Sequence, residues 1–261
     1  MSKRHKMGTG TKIVLVLCLI VFCGSGYYLA DYFLKAHQAQ EQFAQLGTDN
    51  SKDKTKKKRD LARLYEKNSD LVGWVTVKGT KIDYPVMQTK GEGEDPEFYL
   101  HRDFDKEYSE SGTPFMDAAS DIYLPTCNWL IYGHHMKSGI MFHDLVKYED
   151  RKFYEKHPTF QLDTVRVSED GSIVTDSGTY QVIAACYSRI YSDNADVFKY
   201  YEYPGITTEE EFNSYVNGVL SLSVYDTGLT AQYGDQLVTL STCAYQTDDG
   251  RFFVVGKRIG N

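Results

Sequence analysis

An uninterrupted apolar segment near the N-terminus divides the chain into two parts that must lie in different surroundings. Residues 13–30 carry no charged side chain, and with the continuation to Leu34 they are long enough for a helix of about 33 Å. Such a helix spans the hydrocarbon core of a bilayer, provided that Asp31 lies at its outer edge. The segment therefore predicts a transmembrane helix over 13–34, preceded by a short basic stretch, 1–12.

The charges around the apolar segment predict its orientation. Four basic residues precede it: Lys3, Arg4, Lys6 and Lys12. Positive charges on this flank favour a cytoplasmic N-terminus, which puts residues 35–261 outside the cell on a single-pass anchor in the cell membrane. A cleaved signal peptide is the alternative, but no small-x-small cleavage site directly follows the apolar run, so an uncleaved signal anchor is favoured.

The chain after the anchor changes composition at about residue 60. Residues 35–60 are polar and end in a basic run, 54–59, so we expect a solvated stalk. Residues 61–261 are enough for one domain with a sizeable core. The whole chain has a net charge of −7 although its first 60 residues are basic, so this domain is acidic. An acidic domain argues against a nucleic-acid partner.

A cysteine stands at the end of a predicted strand in this domain. Residues 237–243 alternate between an apolar face and a more polar face that includes Cys243, so the sulfur need not be buried. Residues 248–250, Asp-Asp-Gly, supply a turn, and residues 251–257 read as a returning strand. This hairpin would make Cys243 and Arg251 cross-strand neighbours at its open end. A core cysteine and a solvated arginine are the alternative, because free cysteine is often buried.

A second strand-like run ends in two imidazole side chains. Residues 127–133 are largely apolar and are followed directly by His134 and His135. The thiolate is the reactive form of cysteine, and a neighbouring imidazolium or guanidinium stabilises it. Periodicity does not decide which histidine faces Cys243, because adjacent side chains point oppositely and the chain can turn at Gly133.

Together these segments resemble the signature of the sortases, the cysteine transpeptidases of Gram-positive cell envelopes. The resemblance lies in residues 239–243 with the downstream Arg251, and in the upstream residues 132–134, Tyr-Gly-His. It covers most of residues 61–261. Three further segments are similar to the class B branch: 73–87, 98–104 and 187–225.

The resemblance implies a mainly β fold, a closed sortase-like β-barrel of about eight strands. It also implies an N-terminal helix and a helical insertion before the cysteine strand. The residues themselves support the insertion, because apolar side chains recur at helical spacing between 208 and 222. Thr207 and Glu210 fit a capping box at its start, and its apolar face is expected to pack on the barrel.

The resemblance also implies an activity, that of a membrane-anchored cysteine transpeptidase. Such an enzyme cleaves a C-terminal sorting motif of a surface protein after threonine, through a thioacyl-enzyme, and transfers the protein to an amine of a peptidoglycan precursor or a pilin. The implied catalytic residues are Cys243 as nucleophile, His134 as general acid and base, and Arg251 as the group that holds the substrate carbonyl. The implied substrate-binding residues are Ser241, Thr242 and Leu100. No cofactor is implied.

The sequence departs from the family pattern at two positions. Pro96 stands where an asparagine is expected, and Ala244 follows the nucleophile where some relatives carry an acidic residue. These departures leave the sorting motif open.

The remaining cysteines fit an exterior protein without disulfides. Cys18 and Cys23 lie in the predicted span, and the other three, at 127, 186 and 243, form no close-spaced pair. An unpaired thiol outside the cell favours a catalytic role for at least one of them, while Cys127 and Cys186 are better interpreted as packing residues. No metal site is expected, because the short Cys-x-x-Cys spacing of zinc ligands is missing.

Other functions remain open from the residues alone. A cell-wall peptidase or an L,D-transpeptidase-like cysteine enzyme would also act on the wall, but the latter would carry a His-Gly pair a few residues before the cysteine. A papain-like peptidase places its cysteine before its histidine, which is the reverse of the order here. A surface-anchored binding module without catalysis is the non-enzymatic alternative.

Overall fold

The computed structural model describes residues 8–48, 59–89, 91, 93–124 and 126–260. Within these residues the strands are β1 (Leu71–Thr76), β2 (Asp83–Met87), β3 (Phe115–Met116), β4 (Asn128–Tyr132), β5 (Thr159–Val167), β6 (Ile173–Arg189), β7 (Leu237–Cys243) and β8 (Gly250–Ile259). The α-helices are α1 (Thr9–Gly47), α2 (Leu61–Lys67), α3 (Arg151–Lys156) and α4 (Glu209–Leu222). Short 3-10 helices cover Phe98–His101, Phe142–Glu149 and Tyr200–Glu202.

The strands close into a barrel in the order β1-β2-β3-β4-β7-β8-β6-β5. Strand β4 pairs in parallel with β7, whereas β8 pairs antiparallel with both β7 and β6. The antiparallel pairing of β1 with β5 completes the closure. The predicted fold class, a closed β-barrel with a helical insertion before the cysteine strand and a long apolar N-terminal helix, is confirmed.

Helix α1 continues well beyond the predicted span and packs on the barrel. Its apolar first part is exposed along its length, as expected of a candidate membrane helix. Further along, Phe43 is fully buried, with its ring centroid 5.4 Å from that of Tyr84. The Tyr84 hydroxyl donates a hydrogen bond of 2.8 Å to the side-chain oxygen of Gln40.

The predicted solvated stalk is therefore wrong for residues 35–47. Four apolar residues recur there at helical spacing and turn towards the barrel: Ala36, Ala39, Phe43 and Leu46. The polar residues between them hid this stripe in the sequence. Residues 49–58, which hold most of the basic run, and residues 1–7 of the basic N-terminal segment lie outside the described residues.

Helix α4 packs on the outside of the barrel, as predicted. Its buried face is formed by Phe212, Tyr215, Val216 and Val219. Leu220 is half-buried. The helix begins one residue later than the predicted capping pair of Thr207 and Glu210 implies, because Thr208 is the N-cap and its hydroxyl accepts the Glu211 N–H at 3.3 Å.

Strand β7 is buried on both faces, so its polar face is not open to solvent. The Thr239 hydroxyl donates to the side-chain oxygen of Asn128 at 2.9 Å and is also hydrogen-bonded to the Tyr215 hydroxyl of α4. The Ser241 hydroxyl is hydrogen-bonded to that of Tyr200 at 2.7 Å. The barrel interior packs on one face of β7, and α4 with the 3-10 helix Tyr200–Glu202 packs on the other. Only its last residue, Cys243, is partly exposed.

Candidate active site

The β7–β8 hairpin places the thiol beside the guanidinium. Cys243 is paired directly with Arg251 in the antiparallel register, as the sequence predicted. The Ala244 N–H donates to the Gly250 carbonyl at 2.9 Å, which closes the loop immediately after the pair. Position 250 requires glycine, because a Cβ there would lie 2.2 Å from the Ala244 carbonyl oxygen.

The parallel pairing of β4 with β7 brings the histidines to the same rim. Backbone pairing reaches Tyr132 opposite Ser241, and the Gly133 N–H donates to the Ser241 carbonyl at 3.0 Å. The Thr242 hydroxyl then donates to the Gly133 carbonyl at 2.7 Å. A side chain at position 133 would collide with the Phe142 ring, because a Cβ there would lie 2.6 Å from the nearest ring atom. The next residue, His134, lines the same groove as Cys243.

The surroundings of His134 define its basic nitrogen. Its Nε2 lies 2.9 Å from the Leu100 carbonyl oxygen, which only accepts hydrogen bonds, so Nε2 carries a proton and Nδ1 is the basic atom. Burial lowers the pKa of His134, and the charge of His101, whose ring centroid is 5.5 Å away, lowers it further. The hydrogen bond to Leu100 opposes this shift. The imidazole is consequently neutral over most of the physiological pH range.

His135 points away from this environment. Its Nδ1 is 2.9 Å from the Cys243 carbonyl oxygen, and its ring packs against those of His143 and Tyr245, with centroids 4.7 and 4.9 Å away. Among the described residues, the groove beside the thiol is lined by His134 and not by His135. The geometry thus distinguishes two histidines that the sequence alone does not.

An open groove with a volume of about 590 Å³ runs past these groups. All six predicted site residues line it: Leu100, His134, Ser241, Thr242, Cys243 and Arg251. Cys243 and Arg251 are half-buried, which leaves both accessible from the groove.

Two of the predicted substrate-binding residues have their hydroxyls engaged inside the protein. Ser241 and Thr242 are 1% and 2% exposed, and their hydroxyl groups are bonded to Tyr200 and to the Gly133 carbonyl. This geometry favours packing as the role of these two side chains. Their contact with substrate stays a prediction.

The groove also contains residues that the sequence reasoning missed. These include Asp117, Tyr132, Ile190 and Tyr201. Pro96, already noted for its departure from the family pattern, lines the groove as well. Tyr132 directly precedes the Gly-His motif, so its place in the groove could have been predicted from the sequence. The others come from loops and from a 3-10 helix, where no periodicity predicts which side chain turns inward.

The other cysteines of the domain lie in different settings. Cys186 is fully buried, its sulfur donates to the Val219 carbonyl at 3.3 Å, and burial raises its pKa strongly. Cys127 is half-buried and packs against the core beneath α4. Within the described ranges, no group of three or more His, Cys, Asp or Glu side chains is arranged to hold a metal ion.

A closed barrel that presents a thiol, an imidazole and a guanidinium at one rim defines the class of sortase-type cysteine transpeptidases, and comparisons with known proteins agree. The chain is 34% identical over 206 residues to sortase B of Listeria monocytogenes, covering 77% of this chain and 73% of the relative. It is 28% identical over 258 residues to sortase B of Staphylococcus aureus, covering 96% of both. No protein-family model matches the sequence.

Solved structures give the same result. A sortase B–substrate complex from S. aureus matches with a TM-score of 0.62 and 28% identity, over 76% of this chain and 83% of that one. A further structure of S. aureus sortase B matches with a TM-score of 0.66 and 26% identity, over 88% and 99% of the two chains. The chain belongs to the sortase B family and is a cysteine transpeptidase.

Proposed function

We propose that this protein is a membrane-anchored transpeptidase that cleaves a C-terminal sorting motif after threonine and joins the protein to an amine. The supporting observation is that Cys243, His134 and Arg251 all line one open groove at the rim of the barrel. One of the similar structures is a substrate complex of S. aureus sortase B. We assign the sorting motif of this chain's substrate to the groove that Cys243, His134 and Arg251 line.

In the first half-reaction, the Cys243 sulfur attacks the carbonyl carbon of the threonine at the scissile bond. Nδ1 of His134 takes the proton of the Cys243 thiol and then donates it to the leaving amine, the C–N bond breaks, and the C-terminal tail departs. The product is a thioester between Cys243 and the threonine carbonyl. In the second half-reaction, neutral His134 takes a proton from the incoming amine, which attacks the thioester and restores the thiol.

The protonation state of His134 sets the active fraction of the enzyme. The lowered pKa of His134 favours the neutral imidazole, so the thiolate–imidazolium pair is a minor form near neutral pH. In the active state the two groups share one proton. The Leu100 carbonyl holds Nε2–H, which keeps Nδ1 directed to the reaction.

Arg251 is proposed to stabilise the oxyanion that forms during attack. One of its terminal nitrogens donates to the Gly250 carbonyl at 3.0 Å, which fixes the guanidinium and leaves further N–H donors for the substrate oxygen. The backbone N–H of Ala244, beside the nucleophile, is the other donor to consider for this oxyanion. That N–H is engaged with the Gly250 carbonyl, which supports Arg251 as the proposed donor.

The apolar part of α1 is proposed to anchor the enzyme in the cell membrane, with the N-terminus in the cytoplasm and the barrel outside. Its exposed apolar surface supports the anchoring. The basic residues that precede it in the sequence support the orientation. The acceptor would be an amine of a peptidoglycan precursor or of a pilin. The acidic domain fits positively charged amines.

The test is cleavage of sorting peptides by the full chain in detergent micelles, because truncation before α2 would remove the Phe43 packing of α1. A panel of sorting peptides and amine acceptors is analysed by mass spectrometry. We expect cleavage after threonine with the unaltered chain, no detectable cleavage with Cys243→Ala or His134→Ala, and strongly reduced cleavage with Arg251→Ala.

His135→Ala serves as the matched control for the neighbouring histidine and should keep measurable turnover. Circular dichroism of each variant reports its folding. An equal loss of cleavage activity in His134→Ala and His135→Ala would contradict the assignment of His134 as the general acid and base. Unchanged activity in Cys243→Ala would reject the thioacyl mechanism and support a binding module.

A further inference from the structure

Side chains continue the connection between β4 and β7 beyond the point where backbone pairing ends. The last backbone bond joins the Gly133 N–H to the Ser241 carbonyl at 3.0 Å. Three side-chain donors follow: the Thr242 hydroxyl to the Gly133 carbonyl (2.7 Å), His135 Nδ1 to the Cys243 carbonyl (2.9 Å) and the Tyr245 hydroxyl to the His135 carbonyl (2.7 Å). The three donors belong alternately to the segment that continues β7 and the segment that continues β4. Side chains therefore extend the hydrogen-bonded pairing of the two strands.

The last two of these bonds form a reciprocal pair, which we call the clasp (His135 and Tyr245). The His135 side chain holds the backbone of the nucleophile, and the Tyr245 side chain, two residues after the nucleophile, holds the backbone of His135. The Cys243 carbonyl accepts and cannot donate, so Nδ1 of His135 carries the proton. Neither His135 nor Tyr245 lines the groove.

The surroundings of His135 keep its ring in place as a neutral donor. Burial lowers its pKa, and the charge of His143 lowers it further, while the bond to the Cys243 carbonyl opposes this. The rings of His143 and Tyr245 pack against it, and the Lys137 ammonium lies 5.8 Å from the centre of the Tyr245 ring.

We propose that His135 and Tyr245 are positioning residues that fix the distance between the Cys243 thiol and the His134 imidazole. His134 and His135 are consecutive, so one backbone segment carries both the ring in the groove and the ring that holds the nucleophile's carbonyl. Movement at either end of the clasp changes the separation of the reacting groups, and a shift of about 1 Å can cost as much as about 100-fold in rate. The proposal rests on the catalytic roles proposed above for Cys243 and His134.

The test compares variants that keep or remove the donor, in the full chain in detergent micelles. The side-chain amide of His135→Asn occupies the position of Nδ1 and can donate to the Cys243 carbonyl, whereas His135→Leu cannot. We expect His135→Leu to lower kcat about tenfold with little change in KM, and His135→Asn to keep most of the activity. Tyr245→Phe should lower kcat by a smaller factor.

The double variant His135→Leu with Tyr245→Phe separates a joint role from two independent ones. Since the two bonds act on the same backbone, its loss of kcat should be smaller than the product of the single losses. His37→Leu, on the exposed surface of α1, is the control for loss of a histidine and should match the unaltered chain.

A second readout does not depend on sorting activity. The alkylation rate of Cys243, resolved from the other cysteines by peptide mapping, should change in His135→Leu and be restored in His135→Asn. Absence of peptide cleavage by the unaltered chain would reject the proposed function while this rate still tests the clasp. Unchanged kcat and alkylation in His135→Leu would overturn the clasp. Equal impairment by Asn and Leu would overturn it too, since ring packing and not the bond would then matter.

Discussion

The two ends of strand β7 are built for different purposes. From Leu237 to Thr242 every residue is buried, and the polar side chains of Thr239 and Ser241 are hydrogen-bonded inside the protein. At the rim, Cys243 and its cross-strand neighbour Arg251 are half-buried and border an open groove. The change occurs within one residue.

This contrast explains how a reactive group is held without being enclosed. The buried part of β7 is packed from both faces, so the position of Cys243 is fixed by packing inside the protein. The side chains of Cys243 and Arg251 at the rim remain accessible to the substrate from the groove. Substitutions in the buried part should therefore reduce stability, and substitutions at the rim should reduce turnover.

The largest expected effect is a loss of stability when a buried side chain of α4 is removed. Phe212→Ala removes a fully buried ring from α4 and should lower the free energy of unfolding by about 3–5 kcal/mol. Denaturant unfolding followed by circular dichroism measures the loss. The kcat of the folded fraction should stay near that of the unaltered chain, and a large fall in that value would place α4 in the active site and break the contrast.

The rim should show the opposite pattern. Arg251→Ala removes the proposed oxyanion donor and should lower kcat by about 100- to 1,000-fold. The free energy of unfolding should change by no more than about 0.5 kcal/mol, as for other accessible positions. Peptide-cleavage kinetics and denaturant unfolding on the same samples give both numbers. A variant that loses stability and keeps kcat would show that Arg251 is structural.

A milder substitution tests the polar part of the buried strand. Thr239→Val leaves the Tyr215 hydroxyl and the Asn128 side chain without this partner, which should cost about 1–3 kcal/mol of stability. The combination with Tyr215→Phe should recover part of this loss, because two of the three polar groups are then removed. Greater loss in the double variant than in the single one would contradict the proposed network.

The smallest effect concerns the pH dependence at the rim. Burial is the main cause of the lowered pKa of His134 and the charge of His101 adds to it, so His101→Gln should raise that pKa. The rate falls as pH drops through this pKa, since the imidazole is then already protonated and cannot take a proton from the nucleophile. The acidic limb of kcat/KM should therefore move to higher pH, while His37→Gln leaves it in place. A limb that stays or moves lower would refute the influence of His101.

Local features of the site were accessible from the sequence. The alternation of 237–243, the Asp-Asp-Gly turn and the returning strand predict the Cys243–Arg251 pair, because a hairpin is a short-range structure. The buried face of α4 follows from helical periodicity in the same way.

Long-range features were not accessible from periodicity. The parallel pairing of β4 with β7 joins segments more than 100 residues apart, as the Thr242 bond to Gly133 across 109 positions illustrates. The choice between His134 and His135 depends on how the chain leaves Gly133, and it is visible only in the different partners of the two rings, the Leu100 and Cys243 carbonyls. The docking of α1 through Phe43 carried a periodic signal, but the polar residues around it favoured a stalk.

The most direct test of the mechanism is capture of the acyl-enzyme. The full chain is mixed with a sorting peptide, quenched in acid within the first turnover and digested for mass spectrometry. We expect the N-terminal part of the peptide, ending in threonine, to be attached to the Cys243 sulfur and to be released by an added amine. Turnover with no adduct on Cys243, or an adduct on Cys127 instead, would contradict the thioacyl mechanism.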